Sequence, residues 1–210
     1  MSYLRDSKIR EAVLFFNKMN VNNNVFLGIS GSVSYEPKEG DDIDIFLISR
    51  DGLLWLSILS IFIFRRVFRL KDLCPSLSMD SSFAVEFFRN MGEGLAARDS
   101  LKVIPIYGER YYASLLQLSP AINRGKPAQE PERVKGPIFL IPFEILAFIF
   151  VASWVNLKGI YSNRPKNAKS EGGFKTVFSL HKFYFDTEKY KRLKEDYLRS
   201  QLYEEDSSNL

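Results

Sequence analysis

The chain has 210 residues, of which 46% are hydrophobic and 26% are charged, and this length and composition exclude a wholly disordered protein. Its single cysteine and single histidine exclude an internal disulfide framework, a zinc ribbon and zinc sites built on several histidines. The formal net charge of +4 is by itself weak support for nucleic-acid binding. A metal site in this chain must use mostly oxygen ligands, which favours Mg²⁺, Mn²⁺ or Ca²⁺.

The N-terminal segment lacks the apolar run that a secretory signal peptide needs, because charged residues fall within it. These residues are Asp6, Lys8, Arg10 and Glu11. With one cysteine the chain forms no internal disulfide, and we expect a cytoplasmic protein.

The first half of the chain alternates helical and strand patterns. Apolar residues recur three and four positions apart where a helix is expected, and short runs of β-branched and aromatic residues between turn formers indicate strands. In chain order the sequence predicts a helix over residues 9–19 with Asp6 or Ser7 as its cap, strands over 25–30 and 43–49, a helix over 53–66, a third strand within 67–79, and helices over 83–103 and 109–118.

A change of composition follows this half. Residues 119–136 are rich in proline and glycine, which is typical of a linker or a long loop. We therefore predict an α/β N-terminal half over residues 1–120 and a mainly helical C-terminal region over residues 121–210. A last helix is expected from Asp186 or Thr187 to about residue 204. The expected fold class is α+β.

The longest apolar stretch, residues 137–155, has enough residues to reach across a bilayer of about 30 Å. It contains Pro142 and Glu144, and both are unusual in the middle of a bilayer. We expect a helix buried in a Phe-rich core, and this helix is also where a homodimer would form. A membrane anchor is the least favoured interpretation of this stretch.

Basic residues cluster after the apolar stretch. Within residues 158–175 they are opposed by a single acid, Glu171. One interpretation is a solvated loop, and the other is a mobile cationic arm for an NTP or a polyanionic acceptor. The basic residues are Lys158, Arg164, Lys166, Lys169 and Lys175.

The segment between the first two predicted strands carries the residues expected to do chemistry. The first strand ends in Gly31-Ser32, nine residues intervene, and Asp42 and Asp44 then open the second strand. Carboxylates at positions i and i+2 of a strand point to the same face, about 7 Å apart, and can share a pair of divalent cations. Glycine permits close backbone approach to a phosphate, and a serine hydroxyl can donate to it.

This pattern resembles the signature of the DNA polymerase β-type nucleotidyltransferases in Gly31-Ser32, the nine-residue gap and Asp42-x-Asp44. The resemblance implies a mixed sheet flanked by helices and followed by a helical region. It also implies transfer of a nucleoside monophosphate from an NTP to an acceptor hydroxyl with Mg²⁺ or Mn²⁺, releasing pyrophosphate. Gly31 and Ser32 would hold triphosphate oxygens, and Asp42 and Asp44 would bind the metals. The acceptor would be a small molecule, a protein or an RNA.

A second resemblance extends further along the chain. Residues 97–112 are similar to a stretch in poorly characterised prokaryotic nucleotidyltransferase-like proteins, in which a Pro-aliphatic-Tyr-Gly turn follows a helix. Residues 105–108 match that turn, and residues 73–79 resemble the strand that precedes the helix. The two resemblances together reach about residue 118.

Active members of the superfamily usually bring a third carboxylate from a later strand, which completes the metal site. In this chain the centre of that strand holds Cys74, Pro75 and Ser76, none of them a carboxylate. Asp72 and Asp80 lie at its two ends, and Asp72 is preferred as the third catalytic residue. The alternative is a catalytically incomplete nucleotide-binding or regulatory and interaction module of the same fold.

Overall fold

Eight helices and six strands make up most of the described chain, which comprises residues 2–19, 21–35, 37–70, 72–91, 94–123, 128–162 and 175–186 of this computed structural model. The helices are α1 (Ser2–Lys18), α2 (Ser32–Tyr35), α3 (Leu54–Val67), α4 (Ser81–Arg89), α5 (Leu95–Leu101), α6 (Glu109–Leu116), α7 (Pro120–Asn123) and α8 (Ile141–Ser162). The strands are β1 (Asn24–Ser30), β2 (Ile43–Ser49), β3 (Leu73–Asp80), β4 (Ile104–Tyr107), β5 (Lys175–Ser179) and β6 (Lys182–Asp186).

The strands form one mixed sheet in the order β4-β1-β2-β3-β6-β5. β2 and β3 run parallel, and every other neighbouring pair is antiparallel. Parallel neighbours need a crossover connection, and α3 supplies it between β2 and β3. The hairpin of β5 and β6 pairs with β3, so residues from beyond the proline- and glycine-rich segment extend the sheet.

Side chains of β2 alternate between the two faces of the sheet, and helices cover both faces. Ile43, Ile45 and Leu47 belong to the cluster that includes side chains of α1, α3 and α8. Phe46 and Ile48 pack in a second cluster with side chains of α4, α5 and α6. The molecule is therefore a mixed sheet between two helical layers, in agreement with the predicted α+β class.

Pro75 lies within β3 and has no N–H to donate to a strand ladder. The pairing of β2 with β3 shifts register here: Asp44 pairs with Cys74, whereas Phe46 pairs with Leu77. One extra residue on β3 is accommodated, as in a β-bulge, and the strand continues. The interruption expected at Pro75 is thus a local irregularity inside one strand.

Most predicted elements of the N-terminal half are confirmed. β1, β2, α3 and α6 begin and end within two residues of their expected bounds. The first helix is also confirmed, but α1 begins at Ser2, ahead of its expected cap at Asp6 or Ser7. Ala12, Phe16 and other residues of the predicted apolar face are buried.

Other predictions are wrong or fall outside the described residues. The single helix over residues 83–103 is wrong, because α4 ends at Arg89 and α5 begins only at Leu95. β4, β5 and β6 are not among the predicted elements, and Pro105, Ile106 and Tyr107 of the expected turn lie in β4. The last helix, expected to about residue 204, lies outside the described residues except for Asp186, which ends β6. Residues 163–174 of the basic segment also lie outside them.

A buried carboxylate joins α8 to α3. Glu144 accepts hydrogen bonds from the backbone N–H groups of Trp55 at 2.7 Å and Leu56 at 2.9 Å. These N–H groups lie in the first turn of α3, where no intrahelical acceptor exists and the helix dipole favours an anion. Ala147 and Val151 are buried on the same side of α8. The acid that is unusual in an apolar helix therefore caps its neighbour.

The rest of α8 faces away from the protein, and the expectation of a buried core helix is wrong. Phe143, Leu146, Phe150 and Trp154 are each more than half exposed. Within the described residues, the segment Ile138–Asn156 is long and apolar enough to cross a membrane by length and composition, and 17% of it is buried. Apolar composition predicts the helix but not which of its sides meets the protein.

Candidate functional site

A tight turn at Gly31 brings the end of β1 against β2. Gly31 has φ of +64°, a left-handed conformation that strains residues with a side chain. A Cβ atom built there would also collide with the carboxylate of Asp44. The turn is closed by the N–H and hydroxyl of Ser34, which donate to the Gly31 carbonyl at 3.1 and 2.7 Å. Glycine is thus required for the backbone to meet the Asp44 carboxylate.

Asp44 lies inside the sheet, near the amino end of β2. It pairs with Ser30 on β1 and with Cys74 on β3. The Ser76 hydroxyl donates a hydrogen bond to its carboxylate. Burial, followed by the charge of Asp99, raises the pKa of Asp44 to about 7, and the Ser76 bond opposes part of this rise. This carboxylate therefore carries an electrostatic cost when it is ionised.

Asp99 approaches the same place from α5. Burial raises the pKa of Asp99 to about 6, and the neighbouring Arg98 charge opposes the rise. Its Oδ1 atom is buried and accepts no hydrogen bond from any described residue. An orphaned carboxylate oxygen is costly, so this atom is suited to a donor or a cation that a ligand brings.

These groups line one cavity of about 470 Å³ on the α4–α6 side of the sheet. Its volume lies within the usual range for small-molecule sites. The turn, the sheet and α5 contribute its walls. The lining residues are Gly31, Ser32, Tyr35, Asp41, Asp44, Ser76, Leu77, Leu95, Ala96 and Asp99.

Asp41 lies beside the turn and binds its serine. Its carboxylate accepts from the Lys38 N–H at 2.8 Å and from the Ser32 hydroxyl. Burial would raise the pKa of Asp41, but these two bonds and the charge of Lys8 outweigh it and lower that pKa. Ser32 is therefore held toward an ionised carboxylate.

The sequence-predicted residues are distributed unevenly around the cavity. Gly31, Ser32 and Asp44 line it. Asp42 is exposed just before β2 and does not belong to the lining. Asp72 is exposed as well, and its carbonyl accepts from the Ile43 N–H at 2.6 Å. The roles predicted for these residues stay predictions.

Sequence reasoning missed Asp41, Ser76 and Asp99 as site residues. Asp99 falls within residues 97–112, where the second resemblance implies no role for this acid. No spacing rule could find it, because only the packing of α5 against the sheet brings it to Asp44. Ser76 lies near the centre of β3, the strand that usually brings the third carboxylate in the superfamily that the motif resembles.

Positive charge and an aromatic ring flank the acids. The Arg98 guanidinium carbon lies 4.9 Å from the ring centroid of Tyr35, and the Lys102 ammonium lies 5.9 Å from it. Cations at such distances attract the face of the ring. A polyanion bound in the cavity would thus find cations at its rim as well as acids in its wall.

The metal that the motif implies would have to be held by the donors of this lining. The side-chain donors of the lining are carboxylate and hydroxyl oxygens, which suit Mg²⁺ or Mn²⁺. Within the described residues, however, no group of three Asp, Glu, His or Cys side chains is placed to hold an ion. Mg²⁺ commonly binds through one or two carboxylates together with substrate phosphates and water. The donors of this lining would therefore leave most of the coordination of such an ion to a ligand and to water.

Comparison of the chain with protein-family models, curated proteins and solved structures finds no match. A function for the cavity therefore has to be argued from its geometry and from the short motif that resembles the nucleotidyltransferases. The geometry contributes two partly buried acids and a glycine turn to the lining of one cavity, with Arg98 over the ring of Tyr35, which also lines it.

Proposed function

We propose that the protein binds an NTP with Mg²⁺ or Mn²⁺ in this cavity and transfers its nucleoside monophosphate to an acceptor hydroxyl. The contact of the Gly31 backbone with the Asp44 carboxylate carries the proposal. It is an arrangement in which a phosphate can approach a backbone turn and a metal-binding oxygen at the same time. The acceptor class, whether small molecule, protein or RNA, is left to experiment.

Asp44 is the residue we assign first to the metal. Asp42, two positions earlier, is exposed just before β2, its charge acts on Asp44, and it could complete a pair when a nucleotide is bound. Bound Mg²⁺ would neutralise the negative charge that develops on the phosphate oxygens. Gly31 and Ser32 would contact the triphosphate, and Arg98 and Lys102 would add positive charge at the rim.

Asp99 is suited to accept the proton of the acceptor hydroxyl. A carboxylate with a pKa of about 6 is mostly ionised at neutral pH and still basic enough for proton transfer. The acceptor oxygen would lose its proton to Asp99 and form a bond to the α-phosphorus. The bond from that phosphorus to the bridging oxygen would break, and pyrophosphate would leave with the electron pair.

A second function has its own support: the same site could bind nucleotide without transfer. Ser76 stands where a third carboxylate was expected, and Asp72 is exposed at the start of the strand. Active sites of this type usually need that carboxylate to complete the metal pair. A regulatory or interaction module would keep the cavity and lack turnover.

A labelling experiment separates the two functions. Wild type, Asp44→Asn, Asp99→Asn and the surface control Asp6→Asn are incubated with α-³²P NTPs, Mg²⁺ or Mn²⁺ and fractionated cell extract. Transfer predicts label in an acceptor fraction with wild type and Asp6→Asn, and a loss of at least about 100-fold with Asp44→Asn. Asp99→Asn should lose about 100-fold or more through kcat. Equal labelling by all four proteins would refute the proposed site, and NTP binding without label would favour the module.

A further inference from the structure

The exposed side of α8 is apolar over most of its circumference. Its large side chains from Ile141 to Trp154 are between 44% and 63% exposed at seven positions. At 100° per residue these positions cover an arc of about 220°. Only the stripe that contains Glu144, Ala147 and Val151 meets the protein. Monomeric soluble proteins rarely expose an apolar area of this extent.

The apolar area continues onto α3. A groove between the two helices is lined by Leu56 and Leu59 on one side and by α8 residues such as Phe150 and Trp154 on the other. Ile63 and Val67 follow Leu59 at helical spacing, and both are more than half exposed. The exposed side chains of α8 from Ile141 to Trp154, with those of Ile63 and Val67, are called the α3–α8 surface below.

The charged residues of the two segments that form the α3–α8 surface are basic apart from Glu144, and the exposed acid Asp72 follows three residues after Arg69. Residues 53–70 contain no acidic residue, and residues 137–162 contain only Glu144, which is buried as the cap of α3. Arg66 and Arg69 are exposed at the end of α3, next to Val67. An apolar surface bordered by cations is complementary to a surface that is apolar inside and anionic outside.

Two occupants fit this surface unequally. A second copy of the chain would bring the same arginines to the contact. One flat interface would also leave part of the apolar arc of about 220° in water. Acyl chains surround a convex helix without requiring a complementary shape, and anionic head groups pair with Arg66 and Arg69. Trp154 and the phenylalanines are residue types that lie well at a bilayer interface.

We propose that the α3–α8 surface docks the protein onto an anionic phospholipid bilayer, with α8 lying along the plane of the interface. The helix does not span the bilayer in this arrangement, because its Glu144 stripe stays packed on α3. The one acid of α8 is thereby kept on the protein side, away from the acyl chains. The proposal is independent of the function proposed for the cavity.

Vesicle flotation tests this proposal with the full chain. Vesicles of equal phosphatidylcholine and phosphatidylglycerol are compared with vesicles of phosphatidylcholine alone. The test variants are Phe150→Ser/Trp154→Ser, which removes apolar area, and Arg66→Gln/Arg69→Gln, which removes charge. Leu14→Ser/Ile122→Ser is the matched control, since both residues are more than half exposed elsewhere on the protein. Circular dichroism verifies the fold of each variant.

Wild type and the control are expected to float with the anionic vesicles. The apolar double variant should lose about 100-fold in partition coefficient, and the arginine double variant about tenfold on anionic vesicles only. Wild type that stays in the aqueous fraction would overturn the proposal. So would a stable dimer, seen by light scattering, that Phe150→Ser/Trp154→Ser converts to monomer, because a second copy would then cover the surface.

Discussion

Carboxylates at the two ends of β2 and β3 differ in how many donors they meet. At the carboxyl end, Asp51 accepts from the hydroxyls of Ser81 and Ser82 at 2.6 and 2.7 Å and from the Ser82 N–H at 2.8 Å. At the amino end, Asp44 shares a cavity with Asp99, whose Oδ1 accepts no hydrogen bond from any described residue. The same residue type is thus fully hydrogen-bonded at one end of these strands and incompletely hydrogen-bonded at the other.

The carboxylates at the two ends of these strands have different effects on the stability of the fold. Hydrogen bonds at the carboxyl end tie β3, α4 and the segment after β2 together, so stability explains them. The acids at the amino end raise the free energy of the folded state when they ionise, because they are partly buried and close to one another. Such a cost is retained where a ligand supplies the missing charge, and perturbed carboxylates therefore mark candidate sites.

The largest expected effect is the loss of the Asp51 hydrogen bonds. Asp51→Ala leaves two hydroxyls and one N–H without their acceptor, and we expect the free energy of unfolding to fall by about 3 kcal/mol. Urea denaturation measures the change, with the exposed Asp6→Ala as control. A loss below about 1 kcal/mol would show that this end of the sheet does not depend on its carboxylate.

A substitution of Asp44 in the cavity is expected to change the free energy of unfolding by a smaller amount and in the opposite direction. In the folded protein the pKa of Asp44 is about 7, against an ordinary value of 3.8. Between pH 3.8 and about pH 7 the folded state therefore keeps a proton on Asp44 that the unfolded state has lost. Stability due to this group therefore falls as pH rises through that window. Asn has no proton to lose, and Asp44→Asn should stabilise the protein by about 2 kcal/mol at pH 8.

Urea denaturation in EDTA at pH 8 and at pH 4 checks the Asp44 prediction. EDTA removes any metal that would offset the repulsion among the acids. The stabilisation should be nearly absent at pH 4, where the folded protein keeps Asp44 protonated. Asp44→Asn that destabilises the protein at both pH values would mean that Asp44 is a structural residue like Asp51.

The smallest effect is expected at the turn between β5 and β6. His181 Nδ1 lies 2.5 Å from Oδ2 of buried Asp80, but the histidine side chain is 61% exposed. Asp80 also caps α4 by accepting from the Phe83 N–H at 2.9 Å. His181→Ala should therefore cost only about 0.5 kcal/mol in thermal unfolding at pH 7. A cost above about 2 kcal/mol would make this turn a principal tie to the sheet.

The N-terminal half was largely predictable because its patterns are local. From Ile45 to Ile48, β2 has four consecutive buried apolar residues, as a strand buried on both faces does, and the helical spacing of α1 matches its buried side. Gly31, Ser32 and Asp44 could be picked out because the turn that follows β1 lies next to the start of the adjacent strand β2, where Ser30 pairs with Asp44. The part of the site on β1 and β2 was accordingly visible in the sequence.

The features that the sequence did not predict depend on contacts between segments that are distant along the chain. Asp99 meets the sheet only through the packing of α5, and the hairpin of β5 and β6 owes its place to pairing with β3. The exposure of α8 was mispredicted for a related reason. Its apolar residues exceed what one packed stripe can bury, and hydropathy does not record which stripe is used.

The central claim is that the acids at the amino end of β2 await a metal-bound nucleotide, and calorimetric titration tests it most directly. Each ribonucleoside triphosphate is titrated into wild type, Asp44→Asn and Asp6→Asn, with Mg²⁺ and then with EDTA. We predict saturable binding by wild type and Asp6→Asn in Mg²⁺, and at least about 30-fold weaker binding in EDTA or with Asp44→Asn. Binding of equal strength by Asp44→Asn, or no binding of any nucleotide by wild type, would contradict this account.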